Sequence, residues 1–395
     1  MSVAPRTTGQ ATSREAERLA RAYLLRVAEP PSPALVAFVK AHGPVEAAER
    51  VRTGDCPEKV RKETAARKDL ELVEQDFAEA AKIGARLVIP GDDEWPAWPL
   101  VSLDLASRNG VADVAEPLAL WVRGSASLGL AADRAVAVVG ARMCSDYGQH
   151  NAGELGYGLA ARKVPLFSGA AVGIDAAAHR GALAGGGVTV AVLGCALDIG
   201  YPAGHEGLLK KMADQGGAVI SEYPPGTPPA RHRFLVRNRL IAGLTDGTVV
   251  VEAGRRSGAR NTATTAGALG KVVMAMPGSV HSRTSAGCHD LIRDCKATLV
   301  ANADDVLDTV GRFGPPPKDH QEPRPTDGLG KEAMRVYEAL VPRAGRSAEE
   351  VAAESGILVP RVRAVLPELE LDGFAVRGET GWRRIVRSTP HGNPS

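Results

Sequence analysis

Glycine and arginine occur together at the ends of short apolar runs, a combination that suits contact with an anion. Gly140 and Arg142 follow one such run, where glycine lets the backbone approach a ligand and arginine can donate two hydrogen bonds to one phosphate. Gly169 and Gly173 lie in a loop before a helical segment, whose N-terminus directs N–H groups and a positive dipole end outward. A tight turn with a surface arginine explains the first loop equally well.

A second concentration of chemistry lies in residues 230–260, which hold seven arginines and two acids, a net charge of +5. Arginine suits phosphate groups and stacks on bases better than lysine. Phe234 lies among these arginines, where an exposed ring could stack on a base and a buried ring would belong to the core. Ser257 and Gly258 precede another helical segment. Together these loops predict an extended positive rim, which fits a polyanion better than a mononucleotide.

The sequence lacks the common catalytic and metal-binding signatures. The chain has no Gly-x-Gly-x-x-Gly after its first buried run, no Gly-x-Ser-x-Gly, and no complete P-loop. Its five cysteines form no Cys-x-x-Cys pair, which argues against a disulfide framework or structural zinc. His179 has no metal-binding partner at a suitable spacing, so we expect a structural role for it, as we do for Asp175, a predicted helix N-cap. We predict no cofactor, no metal and no enzymatic activity.

Composition and net charge exclude several classes of protein. The 395 residues are 44% hydrophobic and carry a net charge of +2, which excludes wholesale disorder and a histone-like polycation. No run of 18 apolar residues and no signal-like N-terminus is present, so we expect no membrane span and a cytoplasmic location.

The elements that position these loops follow from alternating apolar and helical segments. Strands are predicted at residues 135–139, 164–167, 188–193, 218–221, 248–252 and 272–276, with helices at 149–161, 176–184, 206–214, 234–244 and 261–269. This alternation indicates an α/β fold, an extended Rossmann-like, doubly wound parallel sheet that binds ligands at the carboxyl ends of its strands.

The flanking segments have different compositions. Residues 1–88 predict an N-terminal helical domain of several short helices, and residues 89–312 the sheet domain, with its core at 135–302. Residues 89–122 show no helical periodicity, so we expect an extended arm there. Residues 313–330 form a proline-rich linker. Residues 331–387 predict three helices and a hairpin, a winged-helix-like domain, before a tail at 388–395.

The ordered motifs between about residues 120 and 301 are specific enough to compare with a family. They include Val139-Gly140-Ala141-Arg142, Gly173-Ile174-Asp175 with His179, Ser221-Glu222-Tyr223-Pro224-Pro225, Arg237-Asn238-Arg239 and Pro277-Gly278-Ser279. In order and spacing they resemble the DNA-processing protein A (DprA/Smf) family.

The resemblance implies an extended Rossmann fold that binds single-stranded DNA (ssDNA), protects incoming DNA in natural transformation and loads RecA onto it. It also implies a homodimer that acts without catalysis. The residues expected to bind ssDNA are Gly140, Arg142, Ser168, Gly169, Gly173, Arg231, Phe234, Arg237, Asn238, Arg239, Ser257 and Gly258. Arg237 and Arg239 are expected either to stabilise the fold or to bind the ligand. Two departures from the family pattern, Val172 and Leu235, are expected to affect DNA affinity, with Arg255, Arg256 and Arg260 compensating.

Two other functions stay open at this point. Rossmann proteins of the lysine-decarboxylase-like group cleave nucleotides with an arginine and a glutamate beside a Pro-Gly-Gly-x-Gly-Thr loop, which this chain lacks near Glu252. The third interpretation is a scaffold that binds a partner and has weakened DNA binding. Val172 favours this interpretation. For the C-terminal domain, duplex binding through Arg361 and Arg363 of its third helix and a protein-contact role are equally compatible with the sequence.

Overall fold

The computed structural model describes residues 8–311, 326 and 328–385. The chain divides into two compact units, which separate at residues 313 and 314. The predicted linker and the C-terminal tail lie almost wholly outside the described residues.

The first unit begins with five helices. They are α1 (Thr8–Val27), α2 (Pro33–His42), α3 (Pro44–Thr53), α4 (Glu58–Thr64) and α5 (Val73–Lys82). The helical prediction is confirmed, although α1 is not short, at 20 residues. Tyr23 and Leu35 of these helices belong to the same buried apolar cluster as Leu193 and Val219 of the sheet region. Helices and sheet therefore share one core.

A nine-stranded sheet follows. Its strands are β1 (Ala85–Val88), β2 (Leu120–Gly124), β3 (Val136–Val139), β4 (Leu166–Ser168), β5 (Thr189–Val192), β6 (Ala218–Ser221), β7 (Gly247–Val250), β8 (Val272–Ala275) and β9 (Thr298–Leu299). The spatial order is β1-β2-β6-β5-β4-β3-β7-β8-β9. Strands β3 to β9 are parallel, and Val136 of β3 is in register with Leu166 of β4 and Gly247 of β7. The predicted doubly wound sheet is confirmed, and all six predicted strands are present.

The structure corrects the prediction for residues 89–122. Instead of an extended arm, this segment holds a helix, α6 (Ala97–Arg108), and the strand β2, which is antiparallel to both β1 and β6. Leu100 and Leu103 are buried while Trp98 and Leu105 are exposed. Pro99 lies in the first turn, where a missing N–H costs little, so the helix forms despite a proline that obscured it in the sequence.

Helices cover both faces of the sheet. The remaining helices of this unit are α7 (Leu128–Ala132), α8 (Asp146–Ala161), α9 (Ile174–Ala184), α10 (Glu206–Asp214), α11 (Arg231–Gly243), α12 (Gly258–Ala268), α13 (Ala286–Arg293) and α14 (Ala303–Thr309). Successive residues of β3 alternate between two cores: Ala137 packs with the side chains of α11 and α12, and Val138 with those of α8 and α9. Both faces of β3 are therefore buried, as its continuous apolar sequence predicts.

The second unit contains α15 (Lys331–Ala339), α16 (Ala348–Ser355), α17 (Val359–Leu371) and an antiparallel hairpin of β10 (Ala375–Gly378) and β11 (Gly381–Arg384). Ser347 and Glu350 form a capping box at the N-terminus of α16. Gly373, with φ of 72°, follows the end of α17. The three helices and the hairpin confirm the predicted winged-helix-like architecture.

Candidate nucleic-acid interface

A large groove lies where the direction of winding of the sheet reverses. From β3 the chain proceeds to β4, β5 and β6 on one side, and β7, β8 and β9 continue on the other. The loops after β3, β7 and β8 and the first turns of α11 line a groove of about 1380 Å³. Ligands of open α/β sheets bind at this position because the loops diverge there and leave a crevice.

Two glycines allow the loops after β3 and β4 to pack closely against each other beside the groove. A Cβ on Gly140 would lie 2.5 Å from the side chain of Ile174, and one on Gly173 would lie 2.4 Å from the carbonyl oxygen of Ala141. Gly173 also has φ of 89°, which disfavours other residues. The loops after β3 and β4 thus pack backbone to backbone. Gly140 lines the groove, whereas Gly173 is not among the lining residues.

Asp175 holds the loop after β4 from within. Its carboxylate accepts hydrogen bonds from the N–H groups of Gly169 (3.2 Å) and Ala171 (3.4 Å). The N-cap of α9 is Gly173, so the prediction that Asp175 is the N-cap is wrong, because its side chain turns back to the loop instead. Burial raises the pKa of Asp175, although the nearby Arg237 guanidinium acts in the opposite direction.

Ser168 and Gly169 do not reach the groove. The Ser168 hydroxyl donates to the carbonyl oxygen of Val138 at 2.6 Å, and both residues are buried. The N–H of Gly169 is occupied by Asp175, and its carbonyl oxygen accepts from Arg237 at 3.0 Å. In this structure the polar groups of these two residues are therefore satisfied within the protein.

His179 is buried in the interior and does not line the groove. Its Nδ1 is 2.7 Å from Thr189 Oγ1, and that hydroxyl donates to the carbonyl oxygen of Leu166. Thr189 therefore accepts from His179, which places the imidazole proton on Nδ1. Nε2 is buried and has no partner among the described residues. Burial is the main cause that lowers the pKa of His179 to about 3.

The four arginines of α11 have four different environments. Arg231 is exposed at the first position of α11 and lines the groove. Arg237 is buried beneath the groove and donates to Gly169 and to Val192. Burial lowers its pKa to about 10, so it remains charged at neutral pH. Arg239 points away and donates to both oxygens of the Glu222 carboxylate, at 2.6 and 2.7 Å.

The fourth arginine, Arg233, connects α11 to the N-terminal helices. Its Nε donates to Glu29 at 2.7 Å, and its Nη1 to the carbonyl oxygen of Pro228 at 2.6 Å. Glu29 also accepts from Arg67 at 2.8 Å and lies 3.2 Å from His232. The hydrogen bonds from these side chains lower the pKa of Glu29 in spite of its partial burial. One carboxylate thus fixes the turn of α11 that carries Arg231 and Phe234.

Phe234 is half-buried and has neighbours at its ring. The Tyr201 ring centroid lies 5.1 Å away with an interplanar angle of 35°, and the Arg142 guanidinium carbon lies 5.5 Å from the Phe234 centroid. All three residues line the groove. Arg142 is exposed and has no ion-pair partner among residues 8–311. A cation over an aromatic face is attracted to it and is replaceable by a base.

The carboxyl end of β7 adds the start of α12. Ser257 is the N-cap of this helix, and its hydroxyl accepts from the N–H of Arg260. Ser257 and Gly258 both line the groove, as does Asn238, whose amide donates to Asn261 of α12 at 3.0 Å. The structure therefore brings eight of the twelve predicted binding residues to one groove: Gly140, Arg142, Arg231, Phe234, Arg237, Asn238, Ser257 and Gly258.

The positive charge of the rim is smaller than the sequence predicts. Asp290, which is buried, lies 3.3 Å from Arg255 and 3.5 Å from Arg260. Glu222 and Glu29 neutralise Arg239 and Arg233. Of the three arginines expected to compensate for Val172, Arg256 alone has no ion pair among the described residues. Val172 is exposed and does not line the groove, whereas Leu235 does.

Sequence reasoning missed Tyr201, Met143 and Arg283 of the groove lining. Met143 directly follows Arg142, so the loop after the first strand carried this signal. Arg283 lies in the loop after β8, the next carboxyl end along the sheet, and was identifiable by the same rule. Tyr201 comes from the loop after β5, and nothing local indicates that its ring meets Phe234.

Glu252, the acid that a nucleotide-cleaving site would need, is occupied by structural contacts. Its carboxylate accepts from the Ser145 hydroxyl (2.6 Å), the Ser145 N–H (2.9 Å) and the Thr284 hydroxyl (2.8 Å). It is buried and is not among the groove-lining residues. These hydrogen bonds connect the end of β7 to the N-terminus of α8. Because they occupy the carboxylate, they argue against the nucleotide-cleaving alternative.

Three further observations concern cysteines, metals and membranes. All five cysteines are free. Within the described ranges, no three His, Cys, Asp or Glu residues are grouped so that they could hold a metal ion. No helix in the described parts of the chain has the length and apolarity needed to cross a membrane.

The fold and the groove define a class: a protein with a winged-helix unit and a Rossmann-type unit, whose sheet has an arginine-lined groove at its switch point. The model of the family described as DNA recombination-mediator protein A matches residues 86–311, and that of the DprA winged helix domain matches residues 320–379. The chain belongs to the DNA recombination-mediator protein A (DprA) family, whose named members are DNA-processing proteins.

Individual relatives agree with this assignment. A Mycobacterium tuberculosis protein that bears the DprA name is 48% identical over 370 residues, which cover 93% of this chain and 94% of that protein. Escherichia coli Smf is 36% identical over 262 residues, 64% of this chain and 68% of its own length. The X-ray structure of DprA from Streptococcus pneumoniae matches with a TM-score of 0.55 and 30% identity, and covers 77% of this chain and 98% of that chain.

Proposed function

We propose that this protein binds ssDNA in the groove between the ends of β3 and β7, without catalysing a reaction on it. The observation that carries the proposal is the cluster of Arg142, Phe234 and Tyr201 beside the exposed Arg231. Guanidinium groups bind phosphates, and aromatic rings stack on unpaired bases, which are the two contacts that sequence-independent ssDNA binding requires.

The position of Arg142 suggests how the two contacts are coupled. Its guanidinium lies over the Phe234 ring, where a base would stack. A phosphate that draws Arg142 to itself uncovers the ring for the neighbouring base. Tyr201 supports Phe234 from the side and offers a second partly exposed ring. The buried Arg237 holds the groove floor in place through Gly169 and Val192, and its backbone contacts leave the exposed arginines to bind DNA.

Replacing Phe234 with alanine is expected to weaken ssDNA binding by about 1–3 kcal/mol, because one stacked base is lost.

Replacing Arg142 with alanine is expected to reduce the slope of log affinity against log salt concentration by about 0.7, the value for one phosphate contact to a single strand. Both are measured by titrating labelled oligo(dT) at several salt concentrations. Arg162→Ala, which removes an arginine paired with Asp304, is the matched control. Unchanged affinity in both groove variants would refute the proposal.

Glu29 is expected to act as a positioning residue for this site. Glu29→Gln keeps the side-chain shape but removes the charge that binds Arg233 and Arg67, so the first turn of α11 loses its anchor. We expect weaker ssDNA binding with an unchanged salt slope, since no phosphate contact is removed. Glu94→Gln, which disrupts a comparable ion pair with Arg86, serves as the control. Equal ssDNA affinity in Glu29→Gln and the wild type would contradict this role.

The proposal extends to partners. The family description names DNA recombination mediation, and we infer that this protein acts as a homodimer that protects ssDNA and transfers it to a RecA recombinase. RecA filament formation on oligo(dT), with wild type and Phe234→Ala compared, tests the transfer. Sedimentation of the full chain tests the dimer. Stimulation of RecA that does not depend on Phe234 would separate a scaffold role from ssDNA delivery.

A further inference from the structure

In the described part of the winged-helix unit, the arginines that lack an ion-pair partner lie outside α17. On α17, the helix that usually enters a DNA groove in such folds, Arg361 is paired with Glu332 at 2.7 Å and Arg363 with Glu349 at 2.5 Å. The second half of the same helix presents the exposed acids Glu368 and Glu370. A phosphate approaching α17 meets neutralised arginines and then negative charge.

The hairpin has the opposite character. We define the wing as residues 375–384, that is β10, β11 and the turn between them; it holds three arginines and one acid, Glu379. Arg383 is exposed and has no ion-pair partner among the described residues. Arg377 is also exposed, with its guanidinium carbon 5.9 Å from the Trp382 ring centroid. Its backbone N–H donates to Glu370 at 3.1 Å, and its guanidinium forms no ion pair among the described residues.

A fourth arginine extends this positive surface. The segment 341–346 runs beside β11: Arg346 and Trp382 exchange backbone hydrogen bonds at 2.8 and 3.0 Å, and the N–H of Arg384 donates to Val341. Arg343 of this segment is exposed and, within residues 328–385, has no ion-pair partner. Arg384 itself is directed to the interior, with its guanidinium carbon 5.4 Å from the Tyr337 centroid. The free cations are therefore Arg343, Arg377 and Arg383.

The register of the hairpin decides which nucleic acid fits. Arg377 pairs with Trp382, and Val376 pairs with Arg383, so the two exposed arginines lie on opposite faces of a two-stranded ribbon. Cations on opposite faces cannot follow one phosphate row. They can contact the two rows that border a groove of duplex DNA.

We propose that the wing, and not α17, binds the phosphate backbone of duplex DNA. The contact is independent of sequence because it involves phosphates and no base edges. It is also independent of the ssDNA groove in the first unit, so each site is testable while the other is intact.

The test uses the full chain and a blunt-ended duplex, titrated at several salt concentrations. The double variant Arg377→Gln/Arg383→Gln is expected to bind duplex about tenfold or more weakly at 0.1 M salt, with a salt slope shallower by about 2. The matched control is Arg361→Gln/Arg363→Gln, which makes the same charge change on α17 and is expected to leave duplex binding unchanged. Binding of oligo(dT) to the wing variant reports the groove separately.

Hydrogen exchange provides a second measurement that needs no substitution. Duplex added to the wild type is expected to protect amides of β10 and β11 more than those of α17. The proposal is overturned if the wild type does not bind duplex, if the α17 variant loses affinity while the wing variant keeps it, or if protection is confined to α17. A wild type that binds duplex but not oligo(dT) would refute the groove proposal and leave this one standing.

Discussion

Replacing Arg239 with alanine is expected to lower the free energy of unfolding by about 3–5 kcal/mol, because it leaves the Glu222 carboxylate buried and unpaired. The two side chains are 2% and 4% exposed and form a two-pronged ion pair. Arg239 Nε also donates to the carbonyl oxygen of Ala115 at 2.9 Å, which links α11 to the segment before β2. Chemical denaturation monitored by circular dichroism measures the change.

Two further variants show whether charge pairing is the cause. Arg231→Ala, on the same helix but exposed, is expected to change stability by less than about 0.5 kcal/mol. The double variant Arg239→Met/Glu222→Leu removes both charges and is expected to recover much of the lost stability. If Arg239→Ala unfolds at the same denaturant concentration as Arg231→Ala, the buried pair does not stabilise the fold.

Acidification is expected to destabilise the protein through His179. Its pKa is about 3 in the folded protein, against about 6.5 in an unfolded chain. Between these values the unfolded chain binds a proton that the folded protein excludes. The free energy of unfolding therefore falls as pH decreases from about 6.5 to about 3, by up to about 4–5 kcal/mol from this group.

The His179 contribution is isolated by comparison with His179→Gln, which does not titrate but retains a donor for Thr189. The wild type is expected to lose stability between pH 6.5 and 4 more steeply than this variant. His281→Gln, at an exposed position, is the matched control and should follow the wild type. Parallel pH profiles for the wild type and His179→Gln would show that the imidazole is not excluded from protonation in the folded state.

The sheet could be predicted from the sequence because its strands are buried on both faces. Strand β6 and helix α10 have the predicted bounds, residues 218–221 and 206–214. Strands β1, β2 and β9 were not predicted. Thr298 and Leu299 of β9 are exposed and form too short a run to show a pattern. β1 and β2 lie in segments whose neighbours are helical or rich in proline and tryptophan.

The roles of the α11 arginines could not be predicted from the sequence. Arg231, Arg233, Arg237 and Arg239 occur on all sides of the helix, so helical periodicity does not distinguish binding from structural residues. What distinguishes them is the position of distant acids: Glu29 lies 204 residues from Arg233, and Glu222 precedes the helix. The same holds for Tyr201, whose contact with Phe234 depends on the tertiary fold.

The antiparallel pair at the sheet edge has a consequence for how the polypeptide can be shortened. β2 pairs with β6 through Trp121 and Ser221, and with β1 through Trp121 and Leu87. Trp121 is 1% exposed and meets Phe77 of α5 at 5.4 Å. A fragment that started at residue 89, where composition changes, would lose β1 and uncover both Trp121 and a row of backbone N–H and C=O groups. Such a fragment is expected to self-associate through that strand, so a shortened version of the protein has to keep the N-terminal helices together with the sheet.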